Sequence, residues 1–241
     1  MTSVIAHRGA SVAARENTVE AFRLAVAMGA DAIELDVRRT ADGHLVVHHD
    51  AHLADATPIV GADRRDLPPH IPDLDAALDA CAGAWVNVEI KNDPSEPDHD
   101  PDDEIADATT ALLARRGEPT RWLVSSFRLQ TVDRVHALDP AIGTAWLVTR
   151  PPDGAVATVV ERGHRALHPY VGCVTEALVR DCHAVGVAVN TWTCDDAGRM
   201  AELVAWGVDG ICTNVPDLAL AVRRGVAATA STSPAAPGTP A

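Results

Sequence analysis

Strand-like and helix-like runs alternate in about eight pairs along residues 4–224, so the chain is predicted to be α/β with a parallel sheet. The number of pairs and the length of 241 residues point to a closed (β/α)8 barrel, a TIM barrel, which takes ~250 residues. An open doubly wound sheet is the structural alternative. Against it, the first strand–helix turn offers Gly9 alone and no GxGxxG. One domain is expected over residues 1–226, with a short hairpin arm after the second strand. Residues 227–241, rich in Ala, Thr, Ser and Pro, are expected to be a disordered low-complexity tail.

The elements follow in order. Val4–His7 is a short apolar strand that runs into His7-Arg8-Gly9. Asn17-Thr18-Val19-Glu20 fits a helix start, with Asn17 as N-cap and Glu20 completing a capping box, and Gly29 ends that helix after Met28. Ala32–Val37 is a strand of β-branched and aliphatic residues. Asp42-Gly43 signals a hairpin, and Leu45–His49 returns as its second arm. Residues 50–72 form a polar loop, Asp73 caps a helix to Cys81, and Trp85–Lys91 is the next strand. A second polar loop leads to a helix over Asp102–Arg116. The pattern then repeats through strands at 122–127, 142–148, 166–168, 187–192 and 210–213, and a last helix spans Pro216–Arg224.

The bulk composition excludes several classes. A formal net charge of −14 repels nucleic acid and anionic membranes, so neither is an expected partner. No stretch approaches ~20 apolar residues, and no basic-then-apolar leader opens the chain, so neither a membrane anchor nor a signal peptide is expected. Five cysteines, none in a CxxC pair, read as reduced thiols of a cytoplasmic protein. No feature fixes an oligomeric state.

The chemistry gathers around Glu34-Leu35-Asp36. Side chains of a strand alternate, so Glu34 and Asp36 share a face, where two anions repel each other and lose hydration unless a cation or a shared proton sits between them. In a barrel of this kind function lies at the C-terminal strand ends. Those ends carry His7 and Arg8, Glu34 and Asp36, Glu89 and Lys91, Ser126 and Phe127, Asn190 and Trp192, and Asn214, with His49 on the hairpin extension. Three carboxylates, Glu34, Asp36 and Glu89, suit a hard divalent cation, Mg²⁺ or Ca²⁺, over Zn²⁺. Pairing of these carboxylates with Lys91, Arg8 and Arg38 is the alternative. His7 and His49 are natural proton-transfer groups, although strand parity leaves the choice between His48 and His49 open. With Arg8 and Lys91 as fixed cations, the set suits attack at a phosphoryl centre.

His7-Arg8-Gly9, Glu16-Asn17-Thr18, Glu34-Leu35-Asp36, His49-Asp50, Glu89-Ile90-Lys91, Ser126-Phe127, Trp192-Thr193 and Gly210-Ile211-Cys212-Thr213-Asn214 occur in that order. The ordered set resembles the glycerophosphodiester phosphodiesterase family over residues 4–224. The resemblance implies a TIM barrel that hydrolyses glycerophosphodiesters to sn-glycerol 3-phosphate and an alcohol with Mg²⁺ or Ca²⁺. It implies His7 and His49 as the acid–base pair, choosing His49 over His48. It also implies Glu34, Asp36 and Glu89 as metal ligands and Arg8 and Lys91 as phosphate-holding cations. Phe127 and Trp192 would pack against the substrate or, equally, fill the barrel. A lysophospholipid substrate and a non-catalytic phosphate-ester-binding barrel are the alternatives. Two features depart from the family pattern: the segment 51–72 is short, and Asn214 stands where many members carry Asp.

Overall fold

The computed structural model describes residues 1–232. In chain order the elements are β1 (Ser3–His7), α1 (Val19–Met28), β2 (Ala32–Arg39), β3 (Leu45–Val47), α2 (Leu74–Ala80), β4 (Trp85–Ile90), α3 (Glu104–Arg116), β5 (Trp122–Ser126) and α4 (Leu129–Leu138). They continue as β6 (Gly143–Val148), α5 (Ala155–Glu161), β7 (Ala166–Pro169), α6 (Glu176–His183), β8 (Ala188–Thr191), α7 (Ala197–Trp206), β9 (Gly210–Thr213) and α8 (Pro216–Thr232).

All strand pairs are parallel except β2–β3, and β1 pairs with both β9 and β2. That double pairing closes the sheet into a barrel and rules out the open, doubly wound alternative. Strand β3 lies outside the ring, antiparallel to the end of β2, with Val37 opposite Val47.

Alternation along β2 builds the two sides of the wall. Ile33, Leu35 and Val37 are fully buried among helix residues such as Phe22 and Leu78. The other parity places Ala32, Glu34, Asp36 and Arg38 on the opposite side, and Ala32 packs with Ile5 and Cys212 in a small apolar cluster inside the barrel. Two large apolar clusters fill the layer between sheet and helices, one centred on β1–β5 and one on β6–β9. Each fully buried Leu or Ile there contributes about 1.5–3 kcal/mol over an exposed one.

Two local expectations change. Thr18, with its side chain accepting from the Ala21 N–H, caps α1, and Asn17 does not. Asn17 sits in the left-handed region at φ 55° and its amide is used elsewhere. The last helix runs to Thr232, beyond the expected stop at Arg224 and into the expected tail. Residues 225–232 include Ala227, Ala228 and Ala230 and contain no Pro, so nothing in them stops the helix before Thr232. The rest of the expected tail lies outside the described residues. Among the described residues no helix is long and apolar enough to cross a membrane.

Candidate active site

The C-terminal ends of β1, β2 and β4 meet at one point. One oxygen from each of Glu34, Asp36 and Glu89 lies within 4.8 Å of the others, and the three residues are buried at 3%, 1% and 9% exposure. Like charges this close and this dry are costly unless a cation is shared. Burial, reinforced by Asp36 and Glu89, pushes the Glu34 carboxyl well above the usual range. Glu89 is also pushed up, by burial against the counteracting Lys91 ammonium. Asp36 goes the other way: burial opposes its charge, but Lys91 and Arg8 outweigh it and hold the carboxyl at about 2. Lys91 Nζ is 2.8 Å from Glu89 and 3.6 Å from Asp36.

The turn after β1 is shaped to deliver Arg8. Arg8 takes a left-handed backbone at φ 57°, which costs a non-glycine residue roughly 1 kcal/mol and puts its N–H 3.0 Å from the Glu34 carboxylate. Gly9 follows at φ 84°, where a side chain would stand 2.6 Å from the Ala21 carbonyl carbon, so the turn can sit this close to α1 only with glycine. The Arg8 guanidinium contacts both Glu16 oxygens at 3.0 Å and approaches Asp36 at 3.3 Å. Asn17, next to that turn, donates its amide to Asp36 at 2.7 Å.

The two imidazoles are held alike. His7 Nδ1 is 2.7 Å from Asn214 Oδ1. The Asn214 amide is itself oriented, since its Nδ2 donates to Asp195 Oδ2 at 2.7 Å. An amide oxygen only accepts, so His7 carries its proton on Nδ1 and presents a bare Nε2, 3.9 Å from Glu34. Burial, with help from Arg8, lowers the His7 pKa, so the neutral form is favoured. His49 Nδ1 is 2.7 Å from Asp50 Oδ1, an acceptor again, which leaves Nε2 as the nitrogen free of a protein partner in that contact. Its side chain is one-third exposed, at the rim.

Trp192 stands edge-on to Phe127 at 5.3 Å and to Tyr170 at 5.6 Å, and Phe127 and Tyr170 are exposed. These rings border the same mouth from the later strands. A cavity of about 30 Å³ is lined by His7, Glu34, Glu89, Asn87, His168 and Trp192, among others.

The fold thus brings His7, Arg8, Glu34, Asp36, Glu89 and Lys91 together, with His49 at the rim and Phe127 and Trp192 as a wall. Arg38 does not pair with the three carboxylates. Its guanidinium meets Asp98, Glu96 and the His49 carbonyl. The roles of Asn17, Asp195 and Tyr170 appear only in the folded chain. Asn17 lies inside the Glu16-Asn17-Thr18 motif, whereas Asp195 and Tyr170 carry no local signal.

A family model for the glycerophosphoryl diester phosphodiesterase family matches residues 7–218. The chain belongs to that family. It is 31% identical over 243 residues to YhdW of Bacillus subtilis, covering 89% of this chain and 95% of the other. It is also 31% identical over 256 residues to a glycerophosphodiester phosphodiesterase of Caldanaerobacter subterraneus, covering 93% and 99%. Among solved structures, an Oleispira antarctica phosphodiesterase in complex with its product sn-glycerol-3-phosphate superposes with a TM-score of 0.84 at 24% identity, over 92% of this chain and 96% of that one. This glycerophosphoryl diester phosphodiesterase relative is accordingly a phosphoric diester hydrolase with the TIM-barrel architecture of its family.

Proposed function

We propose that the protein hydrolyses glycerophosphodiesters to sn-glycerol 3-phosphate and an alcohol, with a divalent metal held by Glu34, Asp36 and Glu89. The observation that carries this reading is the convergence of three buried carboxylates beside His7, with His49 at the rim and the Nδ1 of each imidazole resting on an acceptor. The donor set fits a metal: it is all oxygen, and Glu34 Oε1 is buried with no partner. When bound, Mg²⁺ or Ca²⁺ would polarise the phosphoryl oxygen and offset developing charge. Glu34, Asp36 and Glu89 would be its ligands.

The chain's own groups do the rest. Arg8 and Lys91 hold the anionic phosphoryl oxygens, drawing a substrate against the global charge of −14. His7 starts neutral and takes a proton from the nucleophile at Nε2, and Asn214 keeps that tautomer in place. His49, at the rim, acts from its protonated form: its Nε2–H goes to the departing alkoxide, and the imidazole is left neutral with Nδ1 still on Asp50. Phe127 and Trp192 pack on the organic part of the substrate. The domain over residues 1–226 is the catalytic unit, and five free cysteines, four of them buried, suit the reducing cytoplasm.

The test is direct assay. Purified protein with glycerophosphocholine or glycerophosphoethanolamine, plus Mg²⁺ or Ca²⁺, should release sn-glycerol 3-phosphate, and chelation should stop it. His7→Ala should lower turnover by roughly 10²–10⁴-fold with affinity for the product kept. No release from either substrate with either metal overturns the reading. A faster rate on a lysophospholipid would move the substrate class to lipid diesters.

A further inference from the structure

His49 is the one member of the set that lies neither in a barrel strand nor directly after one. Strand β3 ends at Val47, and the His48 N–H, on the Asp36 carbonyl at 3.0 Å, makes the last backbone hydrogen bond with β2. A proton-transfer group set in a loop needs an anchor, because misplacement by ~1 Å can cost roughly 10²-fold in rate.

Arg38 supplies a fixed point there. It leaves β2 on the same face as Glu34 and Asp36, and its side chain is fully buried. Its guanidinium donates twice to the His49 carbonyl, from Nε at 2.9 Å and from Nη2 at 2.5 Å. The remaining edge meets Asp98 at 2.5 Å and Glu96 at 2.9 Å, and the Asp98 side chain is itself only 4% exposed. Both acids belong to the loop after β4. That loop is fastened at its base by Asn92, which donates to Asp103 at 2.8 Å and accepts from the Asp100 N–H at 2.8 Å. A buried guanidinium is expensive unless every donor is engaged, and here the acids satisfy the charge while the fork holds a backbone oxygen.

We propose that Arg38 is a positioning residue: it locks the backbone of His49 between β2 and the loop after β4, so that the imidazole stays aimed at the reacting centre. The inference rests on His49 being one of the two proton-transfer groups. Arg38 touches no substrate, and its effect passes through His49.

The experiment compares Arg38→Met, Arg38→Lys, Arg128→Met and His49→Ala in the full chain, with glycerophosphodiester hydrolysis measured at saturating Mg²⁺. Arg128 pairs with Asp103 at 2.5 Å at the far end of the same loop, and Asn92 and Thr131 also hold Asp103, so its loss removes a part-buried ion pair while the loop stays fastened to Arg38. Arg38→Met should lower kcat by roughly 10–100-fold with KM within about threefold. Arg38→Lys keeps a charge for the acids but not the fork, and should lower kcat by about 3–10-fold. Arg128→Met should keep kcat within about twofold while lowering Tm. The inference is overturned if Arg38→Met keeps wild-type kcat, or if Arg128→Met loses as much turnover as Arg38→Met. Should Arg38→Met fail to fold, wild-type kcat in Arg38→Lys overturns it. Full turnover in His49→Ala would instead remove His49 from the chemistry, and this inference with it, whereas loss in His49→Ala beside intact Arg38 variants removes the positioning role alone.

Discussion

The two halves of the barrel solve the problem of buried polarity in opposite ways. The half built from β1, β2 and β4 gathers counter-ions: Asp36 is ionised at 1% exposure because Lys91, Arg8 and the Asn17 amide surround it, even though burial shifts Glu34 and His7 beside it towards their neutral forms. The half built from β5 to β9 discharges what it buries. His168 on β7 is buried and driven by that burial down to about 3, so it stays neutral, with the Asn190 amide 2.9 Å away. The contrast is one of partners. A charge survives inside the barrel where ions of the opposite sign arrive with it, and it is titrated away where only amides and rings are offered. Under the proposed function, chemistry that needs charge would draw on one side of the mouth, and the other side would contribute shape.

The sharpest way to break this contrast is to neutralise the ionic half. Glu34→Gln or Asp36→Asn keeps the volume and removes one anion from the cluster. Either should weaken Mg²⁺ or Ca²⁺ binding and lower turnover together, by roughly 10²–10³-fold in rate. Metal titration of activity, with calorimetry of metal binding, reads both. A variant with wild-type metal dependence would show that the cluster is a structural ion network.

The same division explains how far the sequence could be read. Period-two alternation placed Glu34 with Asp36 and Glu89 with Lys91, because the rule needs one strand and no neighbours. The closed ring followed from repeat number and length. Contacts between loops of different strand–helix units carry no such period. Arg38 reads as a spare cation beside the carboxylates, yet its partners Glu96 and Asp98 stand 58 and 60 residues away. Asn17 has the ideal side chain for a cap, but its amide is drawn to Asp36 and the cap passes to Thr18. His48 and His49 could not be told apart by parity for a plain reason: β3 ends before either of them.

A smaller effect is expected on the aromatic side. Phe127 is exposed at the mouth and makes its ring contact with Trp192 at 5.3 Å. If this half supplies shape and no charge, Phe127→Ala should raise KM about 3–10-fold and leave kcat within about threefold. Steady-state kinetics on two glycerophosphodiesters with different alcohols would check it. A large fall in kcat at constant KM would place the ring in the transition state and erase the division of labour. Phe127 is the cleaner probe than Trp192, whose indole N–H also donates to the His168 carbonyl at 2.8 Å.

The smallest effect concerns the discharged histidine and appears in stability. In the unfolded chain His168 binds its proton near the ordinary 6.5, whereas in the folded barrel it does so only at about 3. Between those values the unfolded state holds one more proton than the folded state. Acid therefore favours unfolding, and the neutral imidazole's contribution, complete above pH 6.5, is lost as pH falls towards 3. The slope from this one group is about 1.4 kcal/mol per pH unit across that window. His168→Gln still offers Asn190 an acceptor but cannot titrate there. Urea unfolding at pH 7 and pH 5 should find the wild type losing more stability than His168→Gln over that step. Equal losses would mean that His168 is protonated in the folded barrel, and that the second half can hold an unpaired buried charge after all.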